Sequence, residues 1–509
     1  MFSTVLSASI QGIQVELVHV EADISNGLPI FHMVGYLSPE VREAEERVRT
    51  AIRNVGISLP AKRVIINLSP ANVRKTGTAF DLPIAVSILI ASGFINPQRA
   101  SEVLVIGEMG LNGGISKVSG VLPIVVAAKK SGCRACIVPK ENEKEGVLVK
   151  GIQVIGVESM KDVIAYFHVM KPQEEPKISI CDFKKMKDSY EMDFDEIQGQ
   201  KGVKRAIEVA VAGQHNLLLI GPPGAGKTML AKRIPTILPP LTLEESIEIS
   251  TVYSVLGMLD QSHAFMGTRP FRCVHHTVTK AALIGGGCNP KPGEISMANG
   301  GVLFLDELPE FQKSVLEVLR QPMEDHEILI TRNKGTYLFP ANAMIVAAMN
   351  PCPCGNYPDL NHCSCTETEV RHYLGKVSQP FLDRIDICVE TPKINYTDLT
   401  QQHKSECSST IRERICNARN IQEKRYRKMD IRTNSQLPTG NLQEYCFLKQ
   451  AESEMMKQAF TKLNLTARTY HKVLRVARTI ADLEESADIS SLHISEALGY
   501  RTIDKKYWR

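Results

Sequence analysis

Apolar residues recur at two different periods along this chain. Near its start Ile13, Val15 and Leu17 alternate with Gln14 and Glu16, the period of a half-buried strand. After Ser38-Pro39 the spacing widens to Val41, Ala44, Val48, Ile52 and Val55, one face of a helix that Gly56 ends. Val64-Ile65-Ile66 reads as a strand again, so residues 1–172 are expected to form one α/β domain. The pattern dissolves over Pro172–Tyr190, charged and broken by prolines, which marks a linker at 173–192. From 193 to 395 apolar runs alternate with helical stretches, as in a mostly parallel sheet. From 396 to 509, Ser408–Lys428 and Ala467–Glu485 read as helices with no strand between them, which predicts a helical domain.

Composition narrows this picture only a little. The chain has 509 residues, 43% of them hydrophobic, which suits about three cores. Sixty Lys plus Arg against 56 Asp plus Glu leave +4, too mild to announce a nucleic acid by bulk charge. The opening MFSTVLSASIQGIQ lacks the basic and apolar parts of a secretory signal, and Val121–Ala128 is too short to span a bilayer. A cytoplasmic protein without a membrane partner is therefore expected. Thirteen cysteines, among them Cys273, Cys388 and Cys446 in apolar or helical stretches, are expected as reduced, packed thiols.

The sharpest motif follows the apolar run Leu217–Ile220: Gly221, Pro222, Pro223, Gly224, Ala225, Gly226, Lys227 and Thr228, leading into Met229-Leu230-Ala231. In this strand–loop–helix context small residues let backbone N–H groups close around phosphates. Lys227 adds a charge and Thr228 offers a hydroxyl to Mg²⁺, so ATP and Mg²⁺ are the expected ligands. The apolar strand Val302–Leu305 ends in Asp306, suited to hold the Mg²⁺ shell, and Glu307, suited to polarise the attacking water. A further strand, Met344–Met349, ends in Asn350, an amide placed to orient that water.

With the segment Ser378–Asp386 these motifs resemble the AAA+ ATPases. The resemblance makes Asn350 sensor 1, Arg384 an arginine finger acting on a neighbour's nucleotide, and Arg468, after Leu465-Thr466-Ala467, sensor 2. It implies a ring. Arg475 and Arg478 lie on the helix of Arg468 at roughly one-turn spacings, so charge is expected to gather on one side. The long interval between Lys227 and Asp306 leaves room for an insert near 269–287, and Ile328–Phe339 reads as a hairpin around an Asn-Lys-Gly turn. This arrangement resembles the magnesium-chelatase-like and minichromosome maintenance branches, whose insert and hairpin face the ring's pore.

RPFRxxHHT, ALIGGG, PGEIS, GVLFLDELPEF, MNPCPCG and RVARTIADL together look like the ComM/YifB family of magnesium-chelatase-related ATPases, over essentially the whole chain. The resemblance implies a hexameric DNA helicase that drives branch migration as incoming strands recombine during natural transformation. Its partners would be single-stranded or branched DNA and further copies of itself. A metal-insertion motor and a protein-remodelling or regulatory ATPase are the alternatives. At the hairpin tip Arg332 and Lys334 are candidates to ride on DNA phosphates, with a plain solvated turn as the rival.

Residues Lys75–Pro83 and Leu111–Ala128 resemble the Lon protease domain, but Ala79 falls where its serine belongs and Leu122 where its lysine belongs. Ser69 or Lys75 would have to substitute, so a Lon-like fold without Ser-Lys chemistry is expected. The fold class is thus α/β: a Lon-protease-like N-terminal domain, an AAA+ P-loop core and a C-terminal helical lid. Cys352, Cys354, Cys363 and Cys365 form a set able to close a tetrahedral Zn²⁺ site, a pattern that an iron–sulfur cluster or plain thiols would share. His275 and His276 are expected to be structural or pore-facing, since neighbours on one helix point apart. Arg412, Arg414, Arg419, Lys424, Arg425, Arg427 and Lys428 read as a solvated basic face, with Tyr426 a weak hint of nucleic acid.

Overall fold

The computed structural model describes residues 1–169, 190–259, 264–332, 335–393 and 406–508. Most of the 173–192 stretch, the 395/396 boundary and Lys334 lie outside the described residues. The first sheet has seven strands, β1 (Phe2–Gln11), β2 (Gln14–Ser25), β3 (Phe31–Val34), β4 (Arg63–Ser69), β5 (Val103–Val105), β6 (Ala135–Pro139) and β7 (Gln153–Val157). They run in the order β3-β4-β2-β1-β5-β6-β7. β1 and β2 pair from Phe2↔Asp23 to Gln11↔Gln14, and Gly12 at φ 68° makes the turn. Ile13, read as the first strand residue, belongs to that turn and packs among apolar side chains of the ATPase core. Helix α1 (Ala44–Asn54) presses Val48, Ala51 and Ile52 on α2 (Asp81–Ala91), whose every residue is buried.

The second sheet holds the phosphate loop. Strands β8 (Leu217–Ile220), β9 (Phe271–Val274), β10 (Val302–Leu305), β13 (Met344–Met349) and β14 (Ile387–Glu390) lie in the order β9-β10-β13-β8-β14, all parallel. β11 (Glu327–Arg332) and β12 (Gly335–Pro340) form a separate hairpin. A parallel sheet is buried on both faces, which is why β8, β10 and β13 read as unbroken apolar runs.

The two α/β units meet where α3 (Val121–Lys130) packs on α5 (Leu243–Val255), beyond α4 (Lys227–Ile237). Val121, Leu122 and Ile124 share an apolar cluster with Ile249, Val252 and Tyr253. Gly120 N–H donates to Ser254 O at 2.9 Å. The lid helices α6 (Ser408–Arg425), α7 (Ala467–Leu483) and α8 (Ser491–Tyr507) bury Ile411, Ile415, Val473 and Ile494 in one core with Leu217 and Phe304 of the sheet. Among the described residues no helix is long and apolar enough to cross a membrane.

Candidate active site

β8 passes straight into the glycine-rich loop. Gly221 N–H donates to Met349 O at 3.1 Å, and a Cβ on Gly221 would lie 2.1 Å from Thr391 Oγ1, so a side chain has no room there. Gly224 and Gly226 stand at φ 77° and 81°, the left-handed region that glycine reaches without strain. Pro222, Pro223 and buried Ala225 complete the loop, which delivers the first turn of α4 with its free N–H groups. Gln200 holds the loop from outside, its Nε2 donating to Ala225 O at 2.9 Å and Pro392 O at 3.1 Å.

Lys227 Nζ donates to Gly221 O (2.6 Å), Pro222 O (2.9 Å) and Asn350 Oδ1 (3.0 Å), which brings loop and asparagine together. Burial lowers its pKa, with Asp306 pulling the other way. Thr228 Oγ1 donates to Asp306 Oδ2 at 2.8 Å, a hydroxyl and a carboxylate side by side as the hard-oxygen set of an Mg²⁺ site requires. Glu307, at φ 52°, turns an exposed carboxylate out of the strand end. Its oxygen faces His276 Nδ1 at 3.6 Å. His275 and His276 follow β9 rather than lying on a helix, and their rings lie side by side, centroids 4.1 Å apart and tilted by 35°, instead of pointing apart.

Arg384 and Arg468 gather elsewhere. Arg384 is buried, bonded to Arg320 O at 3.0 Å, Pro380 O at 2.7 Å and Glu324 Oε2 at 3.0 Å. Arg468 donates to the other oxygen of that carboxylate, Glu324 Oε1, at 2.7 Å. Among the described residues neither arginine bonds to Lys227, Thr228, Asp306 or Glu307. Arg475 and Arg478 do not join Arg468 on an exposed side: Arg475 donates to Leu437 O at 2.9 Å and buried Arg478 to Asp482 at 3.1 Å. Asp386 joins loop strand and lid, accepting Asn216 N–H and Lys472 Nζ, each at 2.8 Å. Burial pushes its carboxyl up, but Lys472 and His215 outweigh that and hold it below the ordinary value. The acceptor roles of Glu324 and Asp386 went unread in the sequence; only Asp386 had a signal, its place in the LDRID segment.

Arg332, paired with Gly335, stands exposed at the hairpin tip beside Gly286 of the insert. The other end of the hairpin rests on the first sheet, where a Cβ on Gly12 would lie 3.3 Å from the Phe339 and Tyr337 rings. In the Lon-like unit Ala79 contributes its carbonyl to Gly107 N–H at 3.0 Å, and Leu122 is buried in α3. Lys75 is buried, with its ammonium on Pro70 O.

The four sulfurs of Cys352, Cys354, Cys363 and Cys365 lie within 4.8 Å of one another, a set that can take a metal ion. Of the other cysteines, Cys388 and Cys446 are buried as expected, but Cys273 is exposed. The basic run on α6 is not one solvated face. Arg412 binds Thr236 O at 2.8 Å, Arg414 binds Glu208 at 2.6 Å, Arg419 binds Val211 O at 2.8 Å and Arg425 binds Asp482 at 2.8 Å. Tyr426 is buried on Asn434 at 2.7 Å and offers no stacking platform, which leaves Lys424, Arg427 and Lys428 exposed.

Loop, acidic strand end and asparagine-tipped strand on a parallel sheet define an AAA+ ATPase. Residues 193–399 match the family model described as magnesium chelatase, subunit ChlI, residues 20–142 that of subunit ChlI of Mg-chelatase, and residues 405–501 that of the subunit's C-terminal region. The chain is 40% identical to competence protein ComM of Haemophilus influenzae over 504 residues, 98% of this chain and 97% of the relative. It is 39% identical to YifB of Escherichia coli over 495 residues, 97% and 96% of the two chains. A shorter match, 30% over 137 residues, links 26% of the chain to 24% of Lon protease 2 of Bacillus subtilis. The chain belongs to the magnesium-chelatase-like AAA+ family of ComM and YifB.

Proposed function

We propose that the chain is a cytoplasmic, hexameric, ATP-driven motor on DNA that moves branch points while incoming strands recombine during natural transformation. The observation that carries this reading is a complete hydrolytic set, Lys227, Thr228, Asp306, Glu307 and Asn350, in a chain that resembles a competence protein from end to end. Lys227 and the N-terminus of α4 hold the phosphates of ATP, and Thr228 and Asp306 hold Mg²⁺, which neutralises phosphate charge. Glu307 takes the proton of the attacking water, and Asn350 orients that water. Arg384 completes the site of the neighbouring subunit, and Arg468 couples the lid to it. Their joint position on Glu324, apart from the Lys227 cluster of their own chain, supports a site shared between subunits.

Arg332 and Lys334 ride on the phosphate backbone of single-stranded or branched DNA, multiplied around the ring into a salt-sensitive, sequence-indifferent grip. The four cysteines hold Zn²⁺. The magnesium-chelatase family models favour a second reading, a metal-insertion motor. ATP turnover measured with and without single-stranded DNA separates the two. The wild type speeds up on DNA, and Arg332→Ala with Lys334→Ala loses the rise. Stimulation unchanged in the double variant removes the hairpin from the DNA path, and a wild type indifferent to DNA contradicts the reading itself.

A further inference from the structure

We infer that the Zn²⁺ knuckle of Cys352, Cys354, Cys363 and Cys365 braces the phosphate loop, so that metal occupancy sets how tightly the chain holds nucleotide. The inference rests on the zinc and ATP readings above and adds a coupling between them.

The sulfur geometry fits one ion. Sγ of Cys352 lies 3.3 Å from that of Cys354 and 3.8 Å from that of Cys363, and Cys354 and Cys363 are 3.5 Å apart. A tetrahedral Zn²⁺ with bonds of about 2.3 Å holds its sulfurs about 3.8 Å from one another. An iron–sulfur cluster divides its four cysteines among two or four irons and so spreads the set more widely than a single ion does. Tyr357 N–H donates to Cys352 Sγ at 3.4 Å, the backbone support that a ligating sulfur commonly receives.

The knuckle stands against the nucleotide machinery. Fully buried Cys352 follows Asn350 by two positions, and Asn350 accepts Lys227 Nζ at 3.0 Å. Gly355, at φ 81°, lies so close to the loop that an added Cβ would be 2.2 Å from Pro223 Cδ. On its other side Tyr357 meets Tyr507 of the last lid helix, ring centroids 6.1 Å apart. Residues 352–366 contain no helix or strand, only turns such as Gly355 N–H to Cys352 O at 3.0 Å and Cys363 N–H to Asp359 O at 2.8 Å, so local turns rather than a ladder have to present Gly355 to Pro223. A metal clip supplies the missing constraint, because it removes the loop's freedom before the contact forms.

The test uses the full-length protein, purified without chelator. Elemental analysis should find about one zinc per chain, and a fluorescent ATP analogue should bind the loaded protein about tenfold more tightly than protein stripped by a chelator. Cys365→Ser should lose the metal and weaken nucleotide binding alike. Gly355→Ala keeps all four ligands but drives a methyl group into Pro223, so it should retain zinc and still lose affinity, which keeps the test valid if stripping unfolds the chain. Reciprocity requires nucleotide to tighten zinc by the same factor. Less than about half an equivalent of metal overturns the zinc reading. Full zinc with unchanged nucleotide affinity in Gly355→Ala overturns the brace and leaves the zinc reading standing. A loaded wild type that binds no nucleotide overturns the ATP reading instead.

Discussion

Lys227 is a half-buried ammonium satisfied by three oxygens, two of them carbonyls of its own loop. Phosphate oxygens offer it stronger, charge-assisted bonds, so the same side chain serves the loop and its ligand. Glu307 differs: its carboxylate is exposed, turned out at φ 52°, and faces His276 Nδ1 at 3.6 Å rather than a buried partner. Glu307→Gln should therefore keep nucleotide affinity within about twofold and lower turnover by roughly 10²- to 10⁴-fold, read by equilibrium binding beside steady-state hydrolysis. A parallel loss of binding would make Glu307 a structural group. Buried His215 makes the core sensitive to acid. Burial depresses its pKa from 6.5 to about 4, Asp386 opposes the shift, and Lys472, Arg475 and Arg419 add to it. Above pH 6.5 the ring is neutral folded and unfolded; as pH falls from 6.5 to 4 only the unfolded chain gains the proton, so stability is lost across that window, by about 3 kcal/mol. Urea midpoints at pH 7 and pH 4.5 should fall further in the wild type than in His215→Gln, and equal falls would contradict the assignment.

Between elements, one carboxylate spans core and lid. Arg384 keeps two carbonyl partners without Glu324, whereas half-exposed Arg468 depends on it. Glu324 thus competes with any phosphate for both guanidiniums. Glu324→Ala should lower the ATP concentration at half-maximal turnover by up to about fivefold, the scale of an exposed ion pair; a higher concentration would mean that Glu324 positions the arginines rather than occupies them. The elements carrying the phosphate site were legible in the sequence because their chemistry is local: strand, glycine turn and helix start lie within Leu217–Ala231. Arg412, Arg414, Arg419 and Arg425 looked like a solvated face because their partners, Thr236, Glu208, Val211 and Asp482, lie far away in sequence or on another helix. Glu324 was hidden for the same reason, since an acidic residue in a short helix looks solvated until two distant arginines arrive. For the histidine pair only the helical premise differs, because His275 and His276 follow a strand, where helical spacing does not set which way side chains point.

At the scale of the whole molecule, the Lon-like unit, the ATPase core and the lid are joined by apolar contacts rather than strung apart. α3 packs on α5, the β1–β2 turn meets the hairpin, and the lid shares the core of the second sheet. Ile328, Ile330 and Phe339 of the hairpin share an apolar cluster with Leu303 and Leu305 of β10 and Ile345 and Ala347 of β13, so the hairpin packs on the strands that end in Asp306 and Asn350. The measurement that bears most directly on this account is ATP-dependent branch migration of a synthetic DNA junction by the wild type and by Lys227→Ala. The wild type should move the junction only with ATP and Mg²⁺, and Lys227→Ala should leave it in place. A wild type that hydrolyses ATP yet neither binds nor moves the junction would contradict the DNA-motor reading.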